Sequence, residues 1–439
     1  MYAKSGRSNW RSSLHVTCIA ATTALAAQAV AASPVEMDDA ESSVAVAWRS
    51  VGAARFSRQG DIEPDAAWRQ HLQAKREASK RGEPDDETSS RGVDRADSSS
   101  WIAVNIATGL EYEITLPRRF LDDVIERAQA SGANQGYAGT EYFPADDFDA
   151  EPGPPARHAA GKGWSDGVDT RTRRYDNTTF PYRAMGQLNG GSKSGCSGTL
   201  IGPRHVLTAA HCLWNVTTET WTSSTNFRPG REGTCSGAAC EPYGVYGEQW
   251  YFTPIEFRQT KEWKYDYGIL VTEGRPGDVT GWMGYAAVNT DTTRDYCDKV
   301  PFGPGYLGGA CYNRGYPACG EIENQSLSGG SCQQGWAYQD VNPCETGSFH
   351  STGPDDWYSI FTTNCDIGRG HSGSAVWTDV YNGNQKVVIG VVSTHSCTSA
   401  TDPDPASRCT SGDDFPNGIR RVTPDVLSWI NYFKTVAFP

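Results

Sequence analysis

No C-x-x-C pair occurs anywhere in these 439 residues, so the spacing on which most structural zinc sites are built is missing. Basic residues are in deficit: 39 Lys and Arg stand against 52 Asp and Glu, a formal net charge of −13. That surplus of negative charge argues against a nucleic-acid or anionic-membrane partner. Strong hydrophobes are scarce in the apolar leader run, Leu14 to Ala31, which is too short and too alanine-rich to favour a membrane anchor. Glycine (47), Trp (14) and Tyr (20) are abundant instead, as in loop-rich β folds rather than helical bundles. The chain is long enough to bury a sizeable core and exceeds one small domain.

The 13 cysteines are unevenly placed. Cys18 lies in the leader, and all the others fall between Cys196 and Cys409. An even complement confined to one region reads as disulfides formed in an oxidising compartment. Residues 1–31 read as a secretory signal peptide, with Lys4, Arg7 and Arg11 at its start and the small residues Ala29-Val30-Ala31 for cleavage. From Ala32 to about Asp97 the chain is polar and charged, and Lys75 to Arg95 is expected to be unstructured or a loose helix. Trp101 to Leu116 alternates as a β-hairpin turning at Thr108-Gly109. Phe120, Leu121, Val124, Ile125 and Ala128 follow at helical spacing. This small α/β unit ends in a linker rich in Pro, Gly and Asp, residues 143–167, which runs into Arg171-Thr-Arg-Arg174. A basic run between a linker and a β-rich domain suits proteolytic removal of a propeptide spanning residues 32–174.

The stretch Gly195 to Cys212 carries the strongest motif. Thr199 to Ile201 and Val206 to Thr208 are β-type runs joined through Gly202-Pro203, and Ala209-Ala210 then delivers His211 beside Cys212. Cys196 and Cys212 flank this unit closely enough for a disulfide. Downstream, Gly370-His371-Ser372-Gly373-Ser374 holds a serine between glycines. The pairing of Leu-Thr-Ala-Ala-His-Cys with this serine loop resembles the trypsin/chymotrypsin-like serine proteases. Asn177 to Gln187 is similar to the mature amino-terminal segment of the bacterial glutamyl-endopeptidase branch, where Gly315-Tyr-Pro317 also recurs. The resemblance implies an all-β fold over residues 175–439: a double antiparallel β-barrel with the active site between barrels. It also implies a closing helix, which Thr423-Pro-Asp begins and Val426, Trp429, Ile430 and Phe433 anchor. Residues 291–363 read as cross-linked loops.

A serine hydroxyl is a poor nucleophile until a neighbouring base takes its proton, and the base must be held in one tautomer. His211, Asp266 and Ser372 occur in the order His, Asp, Ser of the trypsin-like enzymes, unlike subtilisins or α/β-hydrolases. Asp266 opens an apolar strand, Tyr265 to Val271, whereas Asp278 sits in a Pro-Gly turn. The backbone N–H groups of Gly370 and Ser372 are expected to form the oxyanion hole. Trypsin carries an acid immediately before its serine, which pairs with the new amino terminus on activation. His371 stands there instead, so that switch is not expected.

For the substrate pocket two signals compete. Asp366 lies six residues before Ser372, where trypsin has its pocket acid, and implies cleavage after Arg or Lys. The glutamyl-endopeptidase branch uses a histidine on the strand corresponding to Gly390 to His395. Here Val392 stands in its place before Ser393, and the nearest imidazole is His395. A pair like Cys365-Asp366 also occurs in that branch, where the acid can be structural. The balance leans toward a basic P1 residue, with Asp366, Ser393 and His395 binding substrate. The reading is a secreted serine endopeptidase, monomeric, acting on protein or peptide substrates and needing no cofactor or metal. A catalytically inactive protease-like binding protein and a secreted esterase remain as rivals.

Overall fold

Among the described residues, β-branched and aromatic runs separated by Gly, Pro and Asn turns form strands. The computed structural model describes residues 46–56, 98–117, 169–188, 195–223, 225–287, 311–319, 332–341, 343–350, 360–380, 385–395 and 417–438, with Thr293 and Cys297. The signal peptide, the stretch 75–95, the helical stripe 120–128, the linker 143–167 and Cys397 and Cys409 lie outside the described residues. All that follows belongs to the unit Val44–Pro439.

In chain order the strands are β1 (Ala47–Ala53), β2 (Ser98–Asn105), β3 (Leu110–Pro117), β4 (Arg171–Arg173), β5 (Met185–Leu188), β6 (Cys196–Leu200) and β7 (His205–Thr208). Then come β8 (Trp214–Asn215), β9 (Thr220–Trp221), β10 (Phe227–Pro229), β11 (Glu248–Pro254), β12 (Gly268–Thr272), β13 (Gly284–Tyr285) and β14 (Cys311–Gly315). The last are β15 (Tyr338–Asp340), β16 (Thr346–His350), β17 (Ile360–Thr363), β18 (Ala375–Val380), β19 (Gln385–His395) and β20 (Asn417–Arg421). Short helices α1 (Ile255–Thr260) and α2 (Gly277–Thr280) interrupt them, and α3 (Pro424–Tyr432) closes the chain.

Two nine-stranded sheets result. The first runs β1-β3-β2-β11-β12-β7-β6-β5-β10, the second β16-β17-β20-β19-β18-β14-β15-β4, with β13 on β19. Every pairing but β13–β19 is antiparallel. The expected two-part antiparallel β architecture with a small carboxy-terminal helix is what forms, and its sheets are open strand paths. Pro424 starts α3, where a missing N–H costs nothing. Val426, Trp429, Ile430 and Phe433 are all buried, as their spacing requires.

The strand pairing bears on three expectations. The 101–116 hairpin forms, with its turn at Gly109 in the left-handed region (φ 64°). It is not a separate unit, however, because β2 pairs with β11 in the first sheet. The boundary expected after Arg174 falls just after β4, which pairs with β15. Arg171 is buried in an ion pair with Asp169 at 2.6 Å, and the Arg174 N–H donates to the Ala337 carbonyl. Finally, the span 291–363 is more than cross-linked loops: β14, β15, β16 and β17 of the second sheet come from it.

Five disulfides join Cys196–Cys212, Cys235–Cys240, Cys297–Cys311, Cys319–Cys332 and Cys344–Cys365. The expected disulfide framework is therefore present among the described residues.

Candidate active site

β7 carries the chain to Ala209 and Ala210, both fully buried, and a 3-10 turn (Ala210–Cys212) swings His211 toward the junction of the two sheets. The Cys196–Cys212 bridge, with Cα atoms 6.0 Å apart, ties that turn back to β6. Asp266 comes from an adjacent element of the same sheet. It caps a second 3-10 turn (Trp263–Tyr265) two residues before β12 rather than opening the strand itself. Its carboxylate is fully buried and grips His211 twice: it accepts the His211 backbone N–H at 2.9 Å, and His211 Nδ1 lies 2.7 Å from its other oxygen. With Nδ1 donating to that oxygen, the tautomer leaves the Nε2 lone pair available as a base. Nε2 is buried and makes no hydrogen bond among the described residues, including to Ser372. Such contacts are often long in an unliganded site and tighten when substrate is bound.

The second sheet supplies the rest. Ser393 on β19 donates its hydroxyl to Asp266 at 2.5 Å, across 127 residues of sequence. The Ser393 hydroxyl is thus engaged by the acid. His395 is placed on the same strand opposite Asn417. Ser372 precedes β18, and its carbonyl accepts the Ser197 N–H at 2.8 Å, which docks the serine loop on β6.

The loop's geometry fixes where its N–H groups point. The Arg369 carbonyl accepts the Ala318 N–H at 2.8 Å, and the Gly370 carbonyl accepts the Ser197 hydroxyl at 2.7 Å. In a trans peptide the N–H points opposite to the carbonyl, so the Gly370 N–H is turned away from Ala318. The His371 carbonyl accepts both the backbone N–H (2.8 Å) and the hydroxyl (2.6 Å) of Ser374, which turns the Ser372 N–H outward by the same rule. Gly370 and Gly373 hold left-handed backbone (φ 94° and 79°). A Cβ on Gly373 would lie 2.0 Å from Thr208 Oγ1, and one on Gly370 would lie 2.3 Å from the Tyr316 carbonyl, so neither position tolerates a side chain.

Behind this loop lies a network that the sequence did not suggest. His371 is fully buried, with Nδ1 3.1 Å from Asn313 Oδ1. Asn313 Nδ2 donates to Ser374 Oγ (2.8 Å) and to the Ala375 carbonyl (2.9 Å). The position that carries an ion-pairing acid in trypsin here anchors a hydrogen-bonded chain through Asn313 to Ser374.

Asp366 is not an open pocket wall. It is 1% exposed, and its Oδ2 accepts the Thr170 backbone N–H at 2.6 Å. The Thr170 hydroxyl sits 2.8 Å from Asp366 Oδ2 and 2.6 Å from Asp340 Oδ1, with one proton to donate between them. Burial, with the neighbouring Asp340 carboxylate, pushes the Asp366 carboxyl up to about 7. Asp366 is thus a buried carboxyl engaged by Thr170 beside Asp340.

Cys196, His211 and Cys212 place ligand-type atoms within 4.8 Å of one another, but both sulfurs are committed to their disulfide, so this donor set does not fit a metal ion.

Residues 169–292 match a family model described as Trypsin. The extracellular metalloprotease of Bacillus subtilis (strain 168) is 37% identical over 131 residues, 29% of this chain and 40% of that protein. The glutamyl endopeptidase of Bacillus licheniformis is 34% identical over 120 residues, 27% of this chain and 36% of that protein. The chain thus spans well under half the length of these curated relatives. Among solved structures, a Glu endopeptidase in complex with MPD is similar at 21% identity, covering 61% of this chain and 98% of that one with a TM-score of 0.41. The protease Anisep from Arthrobacter nicotinovorans is similar at 16% identity, covering 60% and 99% of the two chains, with a TM-score of 0.38.

Proposed function

We propose that this chain is a secreted trypsin-like serine endopeptidase acting through Ser372, His211 and Asp266, a reading supported by its match to the Trypsin model over residues 169–292 and its similarity to a glutamyl endopeptidase. The observation that carries this reading is the double grip of Asp266 on His211, which leaves Nε2 as the unbonded base at the junction of the sheets.

Ser372 Oγ attacks the scissile carbonyl carbon while its proton passes to His211 Nε2. The N–H groups of Gly370 and Ser372 donate to the oxyanion that develops. Asp266, held by Ser393, stabilises the imidazolium through Nδ1. Collapse breaks the C–N bond, and the leaving amine takes the proton from Nε2. Water, deprotonated by the same nitrogen, then attacks the acyl-enzyme and releases Ser372 with its proton restored. No step needs a metal or cofactor.

Secretion is supported by the five disulfides, which persist in oxidising compartments, and by the extracellular relative. Among the described residues no helix is long and apolar enough to cross a membrane. With Asp366 engaged, the relative named glutamyl endopeptidase makes an acidic P1 residue the specificity to test first.

The test is covalent labelling by a fluorophosphonate together with a peptide-library digest. The secreted protein should be labelled and should cleave peptides, and Ser372→Ala should do neither. Peptidase activity surviving in Ser372→Ala refutes the assignment, absence of labelling in the parent favours a binding protein, and turnover of esters alone favours an esterase.

A further inference from the structure

The residues before Asp169 lie outside the trypsin match, yet they supply three strands of the first sheet. β2 pairs with β11 through five consecutive positions, from Asn105 opposite Trp250 to Trp101 opposite Pro254. β3 pairs with β2, and β1 with β3. Without them β11 would be a bare sheet edge, with its N–H and C=O groups unpaired.

The side chains commit further than the ladder does. Trp101, Ala103, Val104, Ile114 and Leu116 are at most 1% exposed. Trp101 inserts among Tyr267, Trp429 and Phe433, with ring centroids 5.4, 5.1 and 5.3 Å away. Trp48 on β1 donates its indole N–H to the Tyr432 hydroxyl at 2.6 Å and packs edge-on against Trp250 and Phe252. Polar contacts close the far end. Glu111 accepts from the Trp221 indole and from Arg258 (3.1 Å), and the Trp221 backbone N–H donates to the Arg55 carbonyl at 2.8 Å.

Shedding a segment re-exposes the apolar surface it buries, at roughly 25 cal/mol for each Å². This one shares the enzyme's core and covers the aromatic face of α3. We propose that the amino-terminal strands β1, β2 and β3 are a permanent partner of the protease domain, retained as a separate, non-covalently bound chain if the connection to Asp169 is cut. The surface they occupy is the edge of β11 together with the aromatic face of α3, and the partner it fits is this chain's own amino-terminal strands.

The test uses the full chain with Ser372→Ala, so it does not depend on whether the protein is a protease. A recognition sequence for a specific protease is inserted between Pro117 and Asp169, the protein is cut, and the products are passed over a sizing column in native buffer. Mass spectrometry should find the amino-terminal fragment that carries β1, β2 and β3 co-eluting with the domain and separating only in denaturant. Elution of the fragment on its own in native buffer, with the domain still showing its original melting temperature, overturns the proposal. Trp101→Ala should lower that temperature by about 10 °C in the uncut chain. Should that variant fail to fold, Trp48→Phe, which loses the bond to Tyr432, should still lower it by a few degrees, while the exposed Arg49→Ala should not. Equal melting temperatures for Trp48→Phe and Arg49→Ala would count against the proposal.

Discussion

Replacing Asn313 by Ala tests whether the chain from Asn313 to Ser374 holds the oxyanion loop in shape or merely fills the core. Asn313 makes three buried contacts: Oδ1 to the His371 ring, and Nδ2 to Ser374 Oγ and to the Ala375 carbonyl. Ser374 Oγ keeps its bond to the His371 carbonyl, so the losses fall on the imidazole and on the Ala375 carbonyl. A buried polar group that loses a partner costs about 1–3 kcal/mol, which puts the penalty for the pair at roughly 3 kcal/mol. A domain with about 5–15 kcal/mol of stability survives that loss. The effect on turnover comes through the 371–372 peptide. Its carbonyl is pinned by Ser374, and Ser374 is pinned by Asn313, so loosening Asn313 lets the Ser372 N–H drift from its line. Complete loss of an oxyanion donor costs about 10²–10³ in turnover, and partial misalignment should cost about 10–100-fold in kcat with KM changed by less than about twofold. Asn313→Asp keeps the acceptor toward His371 and loses the donor toward Ser374, so its kcat should fall between parent and Ala. The assay is steady-state kinetics on the best peptide from a library digest, with melting temperature measured in parallel. If Asn313→Ala melts earlier but keeps kcat within about twofold of the parent, the network only stabilises the fold and the orientation argument is wrong.

Removing the Cys196–Cys212 bridge by a double Ser substitution opens a loop with 16 residues of separation. In the chain-entropy model that costs about 3 kcal/mol, so the melting temperature should fall by roughly 6–12 °C and activity should fall with it, because the bridge carries the turn of His211. An unchanged melting curve would refute this. For Asp366→Asn, the raised carboxyl makes the sign explicit. A group whose folded value is about 7 against an ordinary 3.8 is stabilising while protonated, so its contribution is full below about pH 4 and is lost as pH rises through 7. The parent should therefore lose more stability than Asp366→Asn between pH 4 and 8, and the cleavage profile should be the same in both. Loss of Arg or Lys cleavage in Asp366→Asn would restore Asp366 to the pocket.

The local motifs were legible because their physics is local. The strand-turn-strand unit ending at His211, the serine between glycines, the 101–116 hairpin and the amphipathic α3 each follow from periodicity, small residues at a corner, or a proline at a helix start. Their order along the chain was enough to nominate His211, Asp266 and Ser372. The sequence also marked the cysteine-rich region as disulfide-linked, though the partners beyond Cys196 and Cys212 were open.

What tertiary structure alone decided are the contacts that bridge distant segments. Ser393 reaches Asp266 across 127 residues, and Thr170 reaches Asp366 across 196. A hydroxyl or carboxyl carries no local sign of which remote partner it will meet, so neither contact could be read from the sequence. Arg171 to Arg174 read as a cutting site because the run lies between a linker and a β-rich domain, and only the tertiary structure shows that Arg171 is buried against Asp169 beside the β4–β15 pairing. The hairpin's alternation specified a strand pair but not its neighbour. That it joins β11, and that its tryptophan fills a gap beside α3, was settled by the fit of apolar surfaces more than 140 residues apart in sequence.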